Sequence, residues 1–362
     1  MKNAEEIRGR ARSILVRAPN WTGDVIMATP GFRALRAGFP DARIALHGRA
    51  SQLPLLAGAP WFDELLPLRS AEHGLAPLRE GLALRGRRFD LGLCLPDSFS
   101  SALIMRAAGV RRVVGYARDA RRWLLHQVVK PPDAPRADRG GPLLPRELHV
   151  LGLVEAVGCP PRGTHLELFV TPEEEEAAAR ALAAGGLEAN ARYAVLAPGA
   201  SFGTSKQWPP GHFARAADAL ADAGARAVLV GTPAERPLAA AVASAMRTRP
   251  VDLTGGLDLG GLKAVVRRAR VVLCNDAGTR HVAVAFGVPA VVLMGPTSLE
   301  KTALNLERVT VLTEDVECRP CYLRTCPIDH RCLVRISPER AVAAALPALG
   351  AKSGSAAIRG AA

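Results

Sequence analysis

The sequence predicts an α/β protein with two domains, each built around a mainly parallel β-sheet. Short apolar runs of strand type alternate with helical segments along most of the chain, which is typical of parallel sheets covered by helices. The chain has 362 residues, of which 49% are hydrophobic, and this length suits two cores better than one. Small and polar residues follow apolar runs in both halves, at the strand ends where parallel sheets bind ligands.

The first half contains four predicted strands and three predicted helices. We expect the strands at 13–19, 42–47, 89–95 and 112–116, and the helices at 25–39, 100–108 and 147–157. Pro30 is expected to bend the first of these helices, because proline removes a backbone donor. Residues 131–145 are rich in proline and glycine, so they predict an irregular loop or linker.

The second half repeats the alternation after a domain boundary near residues 160–172. A strand is expected at 166–170, and Thr171, Pro172 and four glutamates then form a strong helix start. Further strands are predicted at 193–197, 227–230, 271–274 and 290–294, with helices at 211–223, 236–245, 262–268 and 280–286. We therefore expect domains at 1–165 and 166–335, a last helix at 336–350 and a disordered tail at 351–362.

The net charge of +13 is distributed unevenly along the chain. Residues 1–160 hold 24 lysines and arginines against 15 aspartates and glutamates, a net charge of +9. A positive surface on one half indicates an acidic partner, such as a phosphorylated substrate or an anionic membrane, although solvated surface arginines are the simpler explanation for most positions. Nucleic acid is disfavoured, because Tyr116 is the one aromatic residue within the arginine cluster at 106–122, and neither a helix-turn-helix nor a zinc-finger pattern is present.

The chain also predicts a cytoplasmic location. No uninterrupted apolar stretch approaches the roughly 18–20 residues that a transmembrane helix requires. The start, MKNAEEIRGRARS, is charged and lacks the apolar core of a secretory signal.

The most informative stretch is 271–298, reading VVLCNDAGTRHVAVAFGVPAVVLMGPTS. Two apolar strands are each followed by small or polar residues, and a helix lies between them. Loop amides and helix N-termini at the carboxyl ends of parallel strands point towards anions. The pattern therefore predicts a phosphate-bearing ligand near 276–279 and 295–297.

Four residues in or just after the predicted strand-end loops at 20–24, 198–209, 231–235 and 276–279 are candidates for chemistry, each with a simpler alternative. Lys206, in APGASFGTSKQWPP, suits a phosphate, although a solvated surface lysine is the alternative. Asp24 suits a general base, although an N-cap or first-turn acid is the interpretation that the sequence alone slightly favours. Glu235 suits a ribose but equally a helix start, and His281 is either a ligand contact or a structural histidine.

The cysteines fall into two groups. Cys94, Cys159 and Cys274 are interpreted as isolated core residues. The second group has the spacing C-x2-C-x4-C-x5-C and comprises Cys318, Cys321, Cys326 and Cys332. In a reducing compartment this cluster favours a structural zinc or iron knuckle over disulfides, with four thiols packed without metal as the alternative.

With these loops in view, the chain resembles the ADP-heptose:lipopolysaccharide heptosyltransferases of glycosyltransferase family 9, and most of all their heptosyltransferase II branch. The resemblance lies in RAPNWTGDVIMATPGFRALR at 17–36, APGASFGTSKQWPPGHFA at 197–214, NDAGTRHVAVAFGVPAVVLMGPT at 275–297 and ECRPCYLRTCPIDHRC at 317–332. It implies a GT-B fold, in which two Rossmann-like domains face each other across a cleft.

The resemblance also implies an activity. It is the inverting transfer of L-glycero-D-manno-heptose from ADP-heptose to heptosyl-Kdo2-lipid A, with no cofactor required for catalysis. The enzyme is expected to be a monomer that associates peripherally with the anionic inner face of the inner membrane.

The same resemblance implies roles for individual residues. Asp24 matches the base that activates the acceptor hydroxyl, and Lys206 matches the lysine that stabilises the leaving diphosphate. The implied donor-binding residues are Ser201, Glu235, Asp276, Ala277, Gly278, Thr279, His281, Gly295, Pro296 and Thr297. The implied acceptor-binding residues are Asn20, Trp21, Asp97, Ser98, Arg118 and Arg121.

One departure from the family pattern concerns Arg280, because the family more often has an apolar pair before the histidine at 281. Two alternatives to the predicted activity remain. One is a family member with another acceptor, and the other is a non-catalytic protein that binds nucleotide sugars or anionic lipids. A Rossmann dehydrogenase is disfavoured, because NWTGD replaces G-x-G-x-x-G after the first strand.

Overall fold

The structure is a computed structural model that describes residue 7 and residues 9–69, 74–137 and 141–350. The chain divides into two compact units. The first comprises the described residues within Met1–Glu175, together with Asp258–Ala264 and Ser298–Leu306. The second comprises Glu176–Leu257, Val265–Thr297 and the described residues within Glu307–Ala362.

Each unit is built on a six-stranded sheet in which every pair of neighbouring strands is parallel. The order is β3-β2-β1-β4-β5-β6 in the first sheet and β11-β10-β9-β12-β13-β14 in the second. The first sheet consists of β1 (Ser13–Arg17), β2 (Arg43–Arg49), β3 (Glu64–Leu68), β4 (Leu91–Cys94), β5 (Arg112–Tyr116) and β6 (Gln127–Val129). The second consists of β9 (Tyr193–Ala197), β10 (Arg226–Leu229), β11 (Val251–Asp252), β12 (Val271–Asn275), β13 (Ala290–Leu293) and β14 (Val309–Leu312).

Helices connect the strands, as the predicted alternation requires. They are α1 (Thr22–Met27), α2 (Thr29–Gly38), α3 (Ala76–Leu84), α4 (Phe99–Ala107), α5 (Arg146–Glu155), α6 (Pro172–Ala184), α7 (Pro210–Asp222), α8 (Arg236–Ala245), α9 (Leu259–Arg268), α10 (Gly278–Ala285), α11 (Arg331–Val334) and α12 (Pro338–Gly350). The predicted bend at Pro30 is a complete break: α1 ends at Met27, and α2 carries the proline in its first turn. The predicted start of α6 is confirmed, since Thr171 and Glu174 cap each other's backbone N–H groups.

Each unit has its own apolar core. In the first unit Phe89, Met105 and Leu124 belong to a cluster between the sheet and α4. In the second unit Trp208 is completely buried beside Phe213, and its indole N–H donates to the carbonyl of Ile336 at 2.9 Å. That bond satisfies the one polar atom of the side chain, which allows the indole to be buried.

Three predictions of local structure differ from the structure. Residues 166–170 form no strand, although Leu166 and Leu168 are buried. The segment 131–145 is not wholly irregular, because β7 (Arg136–Ala137) and β8 (Gly141–Pro142) form an antiparallel pair. The short strands β3, β6, β11 and β14 were not predicted, and the tail at 351–362 lies outside the described residues.

Within the part of the chain that the structure describes, no helix combines the length and apolar character needed to cross a bilayer.

Candidate functional site

Both sheets place their functional loops at a topological switch point. In each sheet the first three strands run from the centre to one edge, and the chain then returns to the centre and continues to the other edge. As a result β1 lies beside β4, and β9 lies beside β12. The carboxyl ends of such strand pairs are the usual ligand-binding position in open parallel sheets. The loop after β1 leads to Asp24 and the loop after β4 carries Asp97, and the loops after β9 and β12 carry Lys206 and Asp276.

Asp24 lies in the first turn of α1, which the loop after β1 leads into. Trp21 occupies the N-cap position without a side-chain cap bond, so Asp24 is a first-turn acid and not the cap. Burial raises the pKa of Asp24, while the positive charge of Arg146, and that of His149 when it is protonated, oppose that rise. A carboxyl with a raised pKa beside two basic side chains suits proton transfer.

Arg146 and His149 lie one turn apart on α5, a relationship that the sequence analysis missed. His149 Nε2 is 3.5 Å from Asp97 Oδ1, and Arg146 donates to the carbonyl of Leu95 at 2.9 Å. Burial alone would raise the pKa of Asp97, but His149, Arg146 and Arg121 outweigh it and lower that pKa. The R-x-x-H spacing predicts only that both side chains share a helix face, and the sequence does not show that this face meets Asp24.

The predicted acceptor residues fall into an accessible set and a structural set. Trp21 is 53% exposed, and the Arg118 side chain, 47% exposed, lies 3.5 Å from Asp97. Arg121 is completely buried and donates to the carbonyls of Tyr116, Pro96 and Ser98. Two further predicted residues have local bonds: the side chain of Ser98 caps α4, and Asn20 accepts a hydrogen bond from Arg17 at 2.9 Å. Burial and these bonds favour a role for Arg121 in holding the loop.

In the second unit Lys206 and Asp276 form the centre of a charged cluster. Lys206 Nζ donates to Asp276 Oδ2 at 2.5 Å and to its backbone carbonyl at 3.1 Å. Thr297 donates to the same carboxylate oxygen at 2.8 Å, and Arg280 lies 3.5 Å from Oδ1. Burial opposes ionisation of Asp276, but Lys206, Arg280 and Thr297 together lower its pKa. Two cations around one carboxylate leave the cluster with positive charge.

The start of α10 adjoins this cluster. Ala277 holds the N-cap position and makes no side-chain cap bond, so the first-turn amides of Gly278 and Thr279 have no capping side chain. Unpaired helix-start amides bind anions. His281 is nearly buried, and burial together with Arg280 lowers its pKa to about 3, so that the imidazole is neutral near pH 7.

Glu235 lies at the carboxyl ends of β9 and β10. A Cβ added at Gly199 would lie 1.9 Å from Glu235 Oε1, and one added at Gly231 would lie 3.0 Å from Oε2. A side chain at residue 199 would therefore displace the carboxylate from its present position, whereas one at residue 231 would require only a small adjustment. The carboxylate also accepts a hydrogen bond from the backbone N–H of Thr232 at 2.7 Å, as part of a capping box. Glu235 therefore starts a helix, as the simpler alternative predicts, and also lies at the carboxyl ends of the strands. Ser201, nearby in sequence, is exposed.

The cysteine-rich segment at 317–332 supports two of these loops. The carbonyl of Arg324 accepts from the Ser205 amide at 3.1 Å, and Pro296 accepts from the Cys321 amide at 3.1 Å. Arg319 donates to the carbonyl of Gly295 at 2.9 Å. These bonds join the loop that carries Lys206 to the loop after β13.

The predicted metal knuckle does not fit this arrangement. Cys318 is exposed, Cys321 and Cys326 are half-buried, and Cys332 is buried under Gly295. Among residues 7, 9–69, 74–137 and 141–350, no group of three or more histidine, cysteine, aspartate or glutamate side chains is placed to hold a metal ion.

Gly203→Ala is expected to displace the Lys206 loop. Gly203 has φ of 152°, and an added Cβ would lie 2.2 Å from the carbonyl oxygen of Arg324. We expect a loss of roughly 1–3 kcal/mol in the free energy of unfolding, measured by thermal and denaturant unfolding. Gly211→Ala in α7 is the control, because its added Cβ meets nothing within 4 Å. Equal stabilities of the two variants would contradict this account of the loop.

Comparisons with known proteins agree with this organisation. The family description "Glycosyltransferase family 9 (heptosyltransferase)" matches residues 78–331. Lipopolysaccharide heptosyltransferase 2 of Escherichia coli K12 is 29% identical over 303 residues, which is 80% of this chain and 84% of the relative. Lipooligosaccharide heptosyltransferase 2 of Haemophilus ducreyi is 27% identical over 91% of this chain and 97% of the relative.

Solved structures show the same fold. The structure of E. coli ADP-heptose lps heptosyltransferase II has a TM-score of 0.76 and 27% identity, and covers 93% of this chain and 98% of that one. The family 9 glycosyltransferase from Veillonella parvula has a TM-score of 0.80 with 21% identity. Fold and site together define a glycosyltransferase with the GT-B fold. The chain belongs to glycosyltransferase family 9, the heptosyltransferases.

Proposed function

We propose that this chain transfers L-glycero-D-manno-heptose from ADP-heptose to heptosyl-Kdo2-lipid A, in the synthesis of the lipopolysaccharide inner core. The observation that carries the proposal is the Lys206–Asp276–Thr297 cluster beside the uncapped start of α10, which suits a nucleoside diphosphate. The choice of heptose and of a singly heptosylated acceptor is supported by the relatives named heptosyltransferase 2, at 29% and 27% identity.

The second unit is assigned to the donor. Lys206 has three N–H donors, and Asp276 engages two of them, which leaves one for a phosphate oxygen. The amides of Gly278 and Thr279 add further donors, and the loop at 295–297 lies beside them. Glu235 is assigned to the adenosine ribose, a role that its position against Gly199 permits. Asp276 is assigned first to orienting Lys206 and then to the heptose hydroxyls.

The first unit is assigned to the acceptor and to the base. Asp24 takes the proton from the acceptor hydroxyl as the oxygen attacks the anomeric carbon, and ADP leaves from the opposite side. This single displacement inverts the anomeric configuration. Lys206 and the helix-start amides meet the charge that develops on ADP, so the proposed reaction requires no metal ion. Trp21, Asp97 and Arg118 are assigned to acceptor contacts.

The proposal also includes peripheral association with the anionic inner face of the inner membrane, as a monomer. The acceptor is an anionic glycolipid, and the net charge of +9 on residues 1–160 complements both the acceptor and such a surface.

The pH dependence of kcat/KM is expected to report Asp24. Activity should rise as Asp24 ionises, with an acid limb above the usual range of a carboxyl because burial raises the pKa. Arg146 lowers that pKa, so Arg146→Met is expected to move the limb to higher pH. The exposed Arg122→Met serves as the control in pH–rate profiles. If the acid limb of the Arg146 variant stayed at the wild-type pH, the ionisation that controls activity would not be that of Asp24 under the influence of Arg146.

A panel of donors and acceptors tests the proposed function. Purified protein is incubated with ADP-heptose and acceptors that carry zero, one or two core heptoses, with UDP- and GDP-sugars as donor controls. We expect one heptose to be added to the singly heptosylated acceptor alone. Transfer only to another acceptor would replace the proposed acceptor, and binding of ADP-heptose without any transfer would favour a non-catalytic binding protein.

A further inference from the structure

Leu75 and helix α3 carry an exposed apolar stripe that the core of the first unit does not use. Leu75, directly before the helix, is 68% exposed, and Leu78 and Leu82 are 39% and 48% exposed. The spacing of three and four residues places them on one face of the helix. Single exposed leucines are common, whereas a contiguous apolar patch indicates an interaction surface.

The opposite face of α3 fixes the orientation of this stripe. Pro77, Glu80, Gly81 and Leu84 are buried. A Cβ added at Gly81 would lie 2.4 Å from the carbonyl oxygen of Ile104 in α4, so the two helices pack with their backbones close together. The one acid of the helix, Glu80, turns inwards and lies 3.0 Å from His47 Nε2. The helix is therefore held firmly with its leucines outwards.

Arginines border the leucines. Arg79 in the helix and Arg85 and Arg88 just after it are exposed. The intervening Arg87 is paired with Glu64 at 2.6 Å. With Glu80 turned inwards, the outer face of α3 and of the turn after it combines leucine with positive charge. Anionic interfaces attract helices of this composition.

We propose that this surface, comprising Leu75, Leu78, Arg79, Leu82 and Arg85, docks the first unit onto an anionic phospholipid bilayer. The leucines enter the boundary between headgroups and acyl chains, and the arginines meet lipid phosphates. A second copy of this chain suits the surface less well, because a symmetric contact would bring the arginines of both copies together. The inference rests on the proposed function in that a glycolipid acceptor requires access to a membrane, but none of these five residues is assigned to the donor or acceptor.

The test compares vesicle binding with catalysis for the full chain. Sedimentation with vesicles of phosphatidylglycerol and phosphatidylethanolamine is measured for wild type, Leu75→Gln/Leu78→Gln/Leu82→Gln and Arg79→Glu/Arg85→Glu. Val334→Gln/Leu346→Gln, at positions that are 43% and 41% exposed, is the control for the leucines, and Arg180→Glu/Arg249→Glu is the control for charge. Transfer to a delipidated, water-soluble acceptor is measured in parallel, with circular dichroism as the test of folding.

We expect both surface variants to lower the vesicle partition coefficient by about tenfold or more, with control variants and transfer to the soluble acceptor unchanged. The proposal would be overturned if the leucine variant bound vesicles as well as wild type does, or if wild type did not bind them. It would also be overturned if wild type were a dimer that the leucine substitutions dissociate. If neither wild type nor any variant transferred heptose, but vesicle binding still depended on the leucines, the proposed function would be refuted and the proposed docking surface would be supported.

Discussion

Asp24→Asn is expected to lower kcat by roughly 10²- to 10⁴-fold while the affinity for ADP-heptose stays unchanged. Asparagine keeps the size of the side chain but cannot accept the proton of the acceptor hydroxyl. Donor affinity should persist because the proposed donor residues belong to the other unit. Steady-state kinetics and calorimetric titration with ADP-heptose measure the two quantities separately.

Stability separates this catalytic role from a structural one. Burial raises the pKa of Asp24, which means that the fold disfavours its ionised form, so a neutral asparagine should unfold at the same temperature or higher. Asp41→Asn, at an exposed position of the same unit, is the matched control. A lower unfolding temperature with a parallel loss of ADP-heptose binding would show that Asp24 maintains structure instead of removing a proton.

Lys206→Met is expected to lower kcat by roughly 10²- to 10³-fold, because the charge that develops on the leaving diphosphate loses its nearest cation. Lys206→Arg should recover part of the activity, since it keeps the charge but not the compact ammonium. Lys130→Met removes a lysine whose side chain is 84% exposed and controls for net charge. Single-turnover kinetics measure the chemical step directly.

Lys206→Met also removes an ionic partner of Asp276, so a loss of stability must be distinguished from a loss of catalysis. Both side chains are only 12% exposed, so Lys206→Met leaves a nearly buried carboxylate with Arg280 and Thr297. Lys206→Met/Asp276→Asn removes both charges and is expected to restore stability without restoring kcat. Recovery of kcat in the double variant would mean that Lys206 only compensates the buried charge of Asp276 and does not act on the leaving diphosphate.

Much of the fold is predictable because the buried strands of a parallel sheet appear in the sequence as short apolar runs bounded by turn residues. The strands β5 and β9 match their predicted bounds, since each is a buried run between turn residues. The short strands β3, β6, β11 and β14 lack that signal, and residues 166–170 carry it without pairing to a neighbouring strand. Strand pairing depends on which partner the fold supplies, and a single sequence does not record this.

The candidate site divides in the same way. Lys206 and Asp276 lie in strand-end loops, and Asp24 lies in the first turn of the helix that follows β1, so their positions follow from the alternation of strands and helices. Arg146 and His149 come from a helix more than a hundred residues after Asp24, and no local pattern connects them. Arg121 belongs to an arginine-rich segment that predicts an exposed cation, but in the structure its side chain is completely buried and donates to backbone carbonyls.

The most direct test of the proposed mechanism is the anomeric configuration of the transferred heptose. Purified protein is supplied with ADP-heptose and the singly heptosylated acceptor, and the new linkage is assigned by NMR together with the release of ADP. Single displacement with Asp24 as base and Lys206 on the leaving group predicts one heptose per ADP released, with configuration opposite to that of the donor. Retention of the donor configuration would contradict the assigned roles of both residues.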